Sequence, residues 1–148
     1  MHASLTTRPC LPADAEYVVA LKERTMRPDL ERLGRWNAER SRSRVLAAFS
    51  TEHTRIIEFD GEPVGSVSLR PADGDHWLEL FYLEPSTQGR GFGSAVLAEL
   101  LAEADAAGTT IRLDVLQGSR ARGLYERHGF VFDSEDEIDV FLVRRPAG

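Results

Sequence analysis

Six residues, Gln88 to Gly93 (QGRGFG), stand between an apolar run that ends at Leu83 and an Ala/Leu-rich run that begins at Ser94. Alternating glycines at such a junction constrain this chain more than any other feature. The N–H groups at a helix start have no intrahelical acceptor, and with the helix dipole they make a ready anion site. Glycine lets that backbone come close to a phosphate. Three kinds of loop compete for the pattern. A nucleotide-hydrolase loop needs Lys and then Ser or Thr after its last glycine, whereas Phe92, Gly93 and Ser94 stand here without a lysine. A dinucleotide loop starting at Gly89 and Gly91 needs its third glycine where Ser94 is found. What remains is the spacing Gln88-x-x-Gly91-x-Gly93.

The periodicity around the loop places it in a mixed architecture. "SLTTRPCL" reads as a short strand ending near Pro12, and "PADAEYVVALKERT" as a helix with Asp14 placed to cap it. After Pro28 the pattern stays helical but is broken by Gly34, which predicts two short helices separated near Arg35 and Trp36. "TRIIEFDGEPVGSVSLR" is a hairpin about Asp-Gly, Asp73 to Asp75 form a second turn, and His76 to Leu83 is the next strand, giving an antiparallel meander. Ser94 to Ala107 carries Val96, Leu97, Leu100, Leu101 and Ala104 at helical spacing, and Gly108 ends it. "TTIRLDVL" is a strand and "SRARGLYERHG" a short helix. "FVF" and "DVFLVRR" close the fold around the acidic loop "DSEDEI". Strand, helix, strand in the middle demands a crossover and one parallel pair within an otherwise antiparallel sheet.

The 148 residues suit a single domain, 1–148. No apolar run approaches the ~20 residues of a membrane helix, and "MHASLTTRPC" lacks the apolar core of a secretory signal, so no membrane partner and a cytoplasmic location are expected. Cys10 is the single cysteine, which excludes an internal disulfide or a multi-cysteine metal site and suits a plain thiol in the first strand. A net charge of −6 argues against a nucleic-acid partner and suits a cationic or neutral substrate. The single lysine against seventeen arginines carries no functional reading. His53, His76 and His128 fall at expected turns or helix ends, read as surface residues, and show no metal-ligand spacing; no metal is expected.

With Gln88, Gly91 and Gly93 in place and "LEP" at Leu83 to Pro85 leading in, the chain resembles the GCN5-related N-acetyltransferase (GNAT) family. A second block, "LDVLQGSRARGLYERHGF", is similar to that family's fifth strand and fourth helix, ending in Leu124, Tyr125, Gly129 and Phe130. The resemblance covers most of the chain and is strongest from Trp77 to Phe132. It implies an α/β (α+β) acyl-coenzyme A N-acyltransferase fold. This is a mostly antiparallel central sheet of six to seven strands with one parallel, splayed pair, flanked by about four helices. The implied co-substrate is acetyl-coenzyme A, its pyrophosphate held by Gln88, Gly89, Arg90, Gly91, Phe92, Gly93 and Ser94. Main chain at Phe81, Tyr82 and Leu83 would face the pantetheine arm. Where many members carry Asn, Ser119 stands, able to cap its helix and to offer a hydroxyl to coenzyme A. Dimerisation, common in the family, would run through the final strands.

The implied reaction is direct acetyl transfer to a primary amine in a ternary complex, with a small cationic amine favoured by the acidic balance and a peptide amine the other acceptor class. Tyr125 is the candidate general acid for the departing thiolate. The base stays open between Glu79, which shares a strand face with Phe81 and Leu83 by alternation, Asp114 on the neighbouring strand, and a water relay. Met26, Arg27, Trp36 and Asn37 are candidate acceptor-pocket residues, and the five carboxylates from Asp133 to Asp139 either draw in a cation or are a solvated loop. A silent acyl-coenzyme A sensor of the same fold, or a partner module, is the rival reading.

Overall fold

Two Asp-Gly pairs shape the sheet. Asp60 and Gly61 (φ 52° and 83°) and Asp73 and Gly74 (51° and 84°) all have left-handed backbone, the requirement of a tight two-residue hairpin. They join β2 (Thr54–Phe59), β3 (Glu62–Ala72) and β4 (Asp75–Leu83) as the expected meander. The computed structural model describes residues 4–147. With β1 (Leu5–Pro9), β5 (Ile111–Leu116), β6 (Val131–Glu135) and β7 (Asp139–Arg144), the strands form a seven-stranded sheet in the order β1-β2-β3-β4-β5-β7-β6. Its one parallel pair is β4 with β5, paired at His76–Ile111 and Trp77–Arg112. The helices are α1 (Ala15–Arg32), α2 (Ala38–Ala48), α3 (Phe92–Ala107) and α4 (Ala121–Arg127). The described residues divide into two compact units: one runs to Arg70 and includes Glu79–Phe92, and the other holds Pro71–Leu78 and the chain from Gly93.

In the first unit, α1 departs from the sequence expectation. The helix continues through Pro28, although the proline cannot donate to the Arg24 carbonyl. Arg27 spans the site, its guanidinium 3.1 Å from Glu23 one turn before and 3.1 Å from Glu31 one turn after, and Leu30 is buried beyond the proline. The break falls where the sequence pattern places it, between Leu33 and Asn37, with Gly34 left-handed. Asp14 does not cap through its side chain. Its carboxylate takes the Leu11 N–H at 2.7 Å and a fork from Arg8. The core joins Val18 of α1 and Val45 of α2 to Ile56, Leu80 and Cys10, whose thiol is pushed up in pKa by burial.

β3 and β4 approach closely here. A Cβ on Gly65 would overlap the Tyr82 carbonyl oxygen and lie 2.9 Å from Leu83 Cδ2 and 3.3 Å from Ile57 Cδ1.

In the second unit, α3 buries Val96, Leu97, Leu100, Leu101 and Ala104, as its spacing predicts, and begins two residues earlier than expected, at Phe92. Arg144 of β7 ties three elements. It forks onto Asp105 of α3 at 2.7 and 3.0 Å and donates to the His128 carbonyl just after α4. Two expectations are corrected. His76 lies within β4, with its Nδ1 buried and without a hydrogen-bond partner, rather than at a surface turn. The acidic run is not all loop: Asp133 and Glu135 are on β6, Asp133 lies 3.7 Å from Arg112, and Asp136 closes the turn by accepting the N–H groups of Ile138 and Asp139.

Gly65→Ala is expected to destabilise the protein by about 1–3 kcal/mol, because a backbone atom must move to admit the methyl group; a lowered urea midpoint at unchanged slope checks it. Asp105 provides a pH test. Arg144 and the Ala147 N–H hold its carboxyl down to about 2, so its stabilisation is complete above the usual carboxylate range and is lost as pH falls toward that value. Asp105→Asn should be less stable than the wild type at pH 6, with the gap closing between about pH 4 and 2 in thermal melts.

Candidate functional site

β4 carries an irregularity that no sequence signal marks. Leu80, a bulky residue in mid-strand, has φ 51°. Left-handed backbone at such a residue is strained and persists only where its surroundings hold it. The Ser66 hydroxyl, fully buried on β3, donates to the Leu80 carbonyl at 2.6 Å. Two-residue alternation therefore cannot be carried from Glu79 across Leu80 to Phe81, which corrects the shared face expected for Glu79, Phe81 and Leu83. Phe81, Tyr82 and Leu83 close the strand half-buried.

Beyond Leu83 the chain is held at one residue. Glu84 donates its N–H to the Val64 carbonyl at 2.8 Å, while its own carbonyl accepts the Thr87 N–H and hydroxyl at 2.9 and 2.8 Å, closing a 3-10 turn over Pro85–Thr87. Its carboxylate receives the Tyr17 hydroxyl at 2.8 Å and a fork from Arg24 at 2.9 and 2.8 Å. Burial opposes the charge, but Arg24 and Tyr17 outweigh it and hold the carboxyl below its usual range. Sequence reasoning missed Tyr17, Arg24 and Glu84 as a set. The available signal was Tyr17 and Arg24 seven apart on one helix face, with an acid directly before the Pro85 lead-in.

Gln88 follows, exposed, its amide donating back to the Leu83 carbonyl at 3.4 Å. Gly89 and Gly91 both have φ 81°, and a Cβ at either would meet nothing, so glycine is required there by backbone conformation alone. Arg90 lies over the rings of Phe59 and Phe92, 4.9 Å from each centroid, and those rings are 4.8 Å apart. Phe92 is buried and opens α3. On α1, next to the Glu84 clamp, lies an open concavity of about 420 Å³ lined by Ala20, Glu23, Arg24, Arg27, Pro28 and Glu31. Of the acceptor candidates, Met26 is half-buried, Trp36 lies under the Arg27 guanidinium at 5.1 Å, and Asn37 is occupied in capping α2 by accepting the Arg40 N–H. Glu79 is forked by Arg70 at 3.1 and 2.7 Å.

The second unit holds the remaining candidates. Gly93 and Ser94 form the first turn of α3, where backbone N–H groups lack intrahelical acceptors. Ser119 accepts the Ala121 N–H at 3.1 Å from the position before the α4 N-cap, Arg120, so it makes a local turn rather than the expected helix cap. Tyr125 is buried on α4, edge-on to Phe130 with centroids 5.6 Å apart. Burial, and then the nearby charge of Asp114, push its phenol well above the ordinary tyrosine range, so it keeps its proton at neutral pH. Asp114 itself is exposed on β5. Among the described residues no group of three or more His, Cys, Asp or Glu is placed to hold a metal ion, and no helix is long and apolar enough to cross a membrane.

Comparison with known proteins supplies the context. The model of the acetyltransferase (GNAT) family matches residues 19–130, a span that includes the loop and Tyr125. Among solved structures, the chain is similar to the PaiA N-acetyltransferase from Thermoplasma acidophilum in complex with coenzyme A, at 19% identity and TM-score 0.75, over 96% of this chain and 99% of that one. It is also similar to the ribosomal-protein-S18-alanine N-acetyltransferase from Escherichia coli, at 16% identity and TM-score 0.76, over 98% and 96%. An acetyltransferase from Thermus thermophilus matches at 20% identity and TM-score 0.73, over 96% and 97%. These likenesses establish the fold. No curated protein matches the chain by sequence.

Ser66→Ala should cost about 1–3 kcal/mol, since it leaves the buried Leu80 carbonyl without that donor, and the loss should read as a lower unfolding midpoint.

Proposed function

We propose, for a chain that belongs to the acetyltransferase (GNAT) family, that it transfers acetyl from acetyl-coenzyme A to a primary amine and that residues 1–148 act as one catalytic domain. The observation that carries the reading is the loop: two left-handed glycines run directly into the first turn of α3, a backbone arrangement fitted to a pyrophosphate. Acetyl-coenzyme A supplies the thioester when bound. Gln88 to Ser94 hold the phosphates, chiefly through backbone N–H groups, and Arg90 adds a positive charge at the loop. Main chain at Phe81 to Leu83 pairs along the pantetheine arm in the manner of an added strand, and a backbone N–H there polarises the thioester carbonyl. The Ser119 hydroxyl, while accepting the Ala121 N–H, offers a further contact to coenzyme A.

The chemistry requires three proton and charge adjustments. The amine must be neutral to attack, the developing oxyanion needs a donor, and the leaving sulfur needs a proton. As the new C–N bond forms and the C–S bond breaks, Tyr125 donates its phenolic proton to the sulfur; its raised pKa keeps that proton available at neutral pH. The proton lost by the amine goes to Glu79 or Asp114, directly or through water. Glu79 must then act while shared with Arg70, whereas Asp114 is exposed. The acceptor is a primary amine, and the net charge of −6 favours a small cationic one.

Thiol release measured with a panel of polyamines, amino acids and short peptides, beside calorimetric titration of coenzyme A, tests the reading. Turnover with one class of amine is expected. Binding without turnover on any amine would instead favour an acyl-coenzyme A sensor, and failure to bind would overturn both. Tyr125→Phe should lower turnover by roughly 10²-fold or more, the usual weight of a general acid, with coenzyme A affinity nearly unchanged. Wild-type turnover in that variant would remove Tyr125 from the role.

A further inference from the structure

The glycine loop has few means of holding itself. Gly89 and Gly91 have no side chains, and the Gln88 amide turns back to the strand it follows. Apart from Arg90, whose guanidinium lies over Phe59 and Phe92, its orientation is set where it leaves β4 and where it enters α3. The leaving point is Glu84, which uses every polar group it has. Its N–H is fixed to β3 through Val64, its carbonyl to Thr87, and its carboxylate to α1 through Tyr17 and Arg24. Thr87 is buried in consequence, although it lies in a connecting turn. A forked, charge-assisted pair is directional in a way that a single contact is not. The carboxylate side chain is 19% exposed, so water screens it less than an ordinary surface pair.

We propose that Glu84 is a positioning residue for the donor loop. Through Arg24 and Tyr17 it locks the loop's entry to α1, so that the backbone of Gln88 to Gly93 is already arranged when the pyrophosphate arrives. The proposal rests on the reading of that loop as the acetyl-coenzyme A site. Without the clamp, part of the binding free energy must go to ordering the loop, which weakens donor binding and leaves the chemical step alone. Arg24 also lines the concavity on α1, so a group bound there would share the side chain on which the loop depends.

The test compares the wild type with Glu84→Gln, Arg24→Lys and Tyr17→Phe by coenzyme A calorimetry, by steady-state kinetics in acetyl-coenzyme A, and by hydrogen exchange. In Glu84→Gln the coenzyme A Kd and the acetyl-coenzyme A KM are expected to rise about fivefold to tenfold, as for loss of a charge-assisted pair. Under the same conditions kcat should stay within about twofold. Exchange should quicken across residues 86–94 and stay unchanged across 96–104. Tyr17→Phe, which removes one hydroxyl and keeps the packing, should move the same readings in the same direction by a smaller factor, and it serves if Glu84→Gln does not fold. A role confined to stability would instead lower the melting temperature and leave the Kd of the folded variants unchanged, which overturns the proposal while the assignment of the loop stands. A wild type that does not bind coenzyme A overturns both.

Discussion

The close approach of β3 to β4 at Gly65 governs the course of the chain into the loop. No side chain larger than hydrogen fits at that position beside the Tyr82 carbonyl, and the next residue, Ser66, reaches the Leu80 carbonyl. The preceding residue, Val64, takes the Glu84 N–H. Three consecutive residues of β3 thus hold the end of β4, including the one strained position in it. A strand that enters a ligand loop from a fixed end presents its backbone donors in a fixed direction, and preorganised donors contribute more to binding and catalysis than mobile ones.

The arginine bias acquires a physical reading from the structure. Arg8 with Asp14 and Glu58, Arg24 with Glu84, Arg70 with Glu79, Arg112 with Asp75, and Arg144 with Asp105 are pairs in which at least one partner is largely shielded from water. Most join segments distant in sequence. Arg8, Arg24, Arg70 and Arg144 each engage carboxylate through more than one donor, which a lysine ammonium cannot match in geometry. An acidic chain is thereby cross-tied by its cations, several of them at elements that carry candidate site residues.

Much of this was legible in the sequence where the signal was local. Both Asp-Gly turns, the α3 stripe, the Gly108 stop and the parallel strand pair follow from short-range chemistry, and of the loop's three glycines Gly89 and Gly91 are left-handed while Gly93 lies in the first turn of α3. What failed was long-range or compensated. Pro28 does not break α1 because Arg27 and buried Leu30 support both sides of it. Asn37 has a local role that the reading did not name, capping α2 by accepting the Arg40 N–H. Leu80 has no residue-type signature for its left-handed backbone, since the hydroxyl that holds it lies fourteen positions earlier. The Glu84 clamp is hard to read for the same reason: Tyr17 and Arg24 share a helix face, but the acid they meet lies sixty or more residues away.

Donor binding depends on the backbone of one short loop, whose amides can be followed directly. Titrating ¹⁵N-labelled protein with coenzyme A and following amide shifts should show the largest changes at Gly89, Gly91, Gly93 and Ser94, with pantetheine, which lacks the pyrophosphate, leaving those amides almost unmoved. Coenzyme A that binds without shifting them, or pantetheine that shifts them equally, would contradict the assignment of the loop as the phosphate cradle.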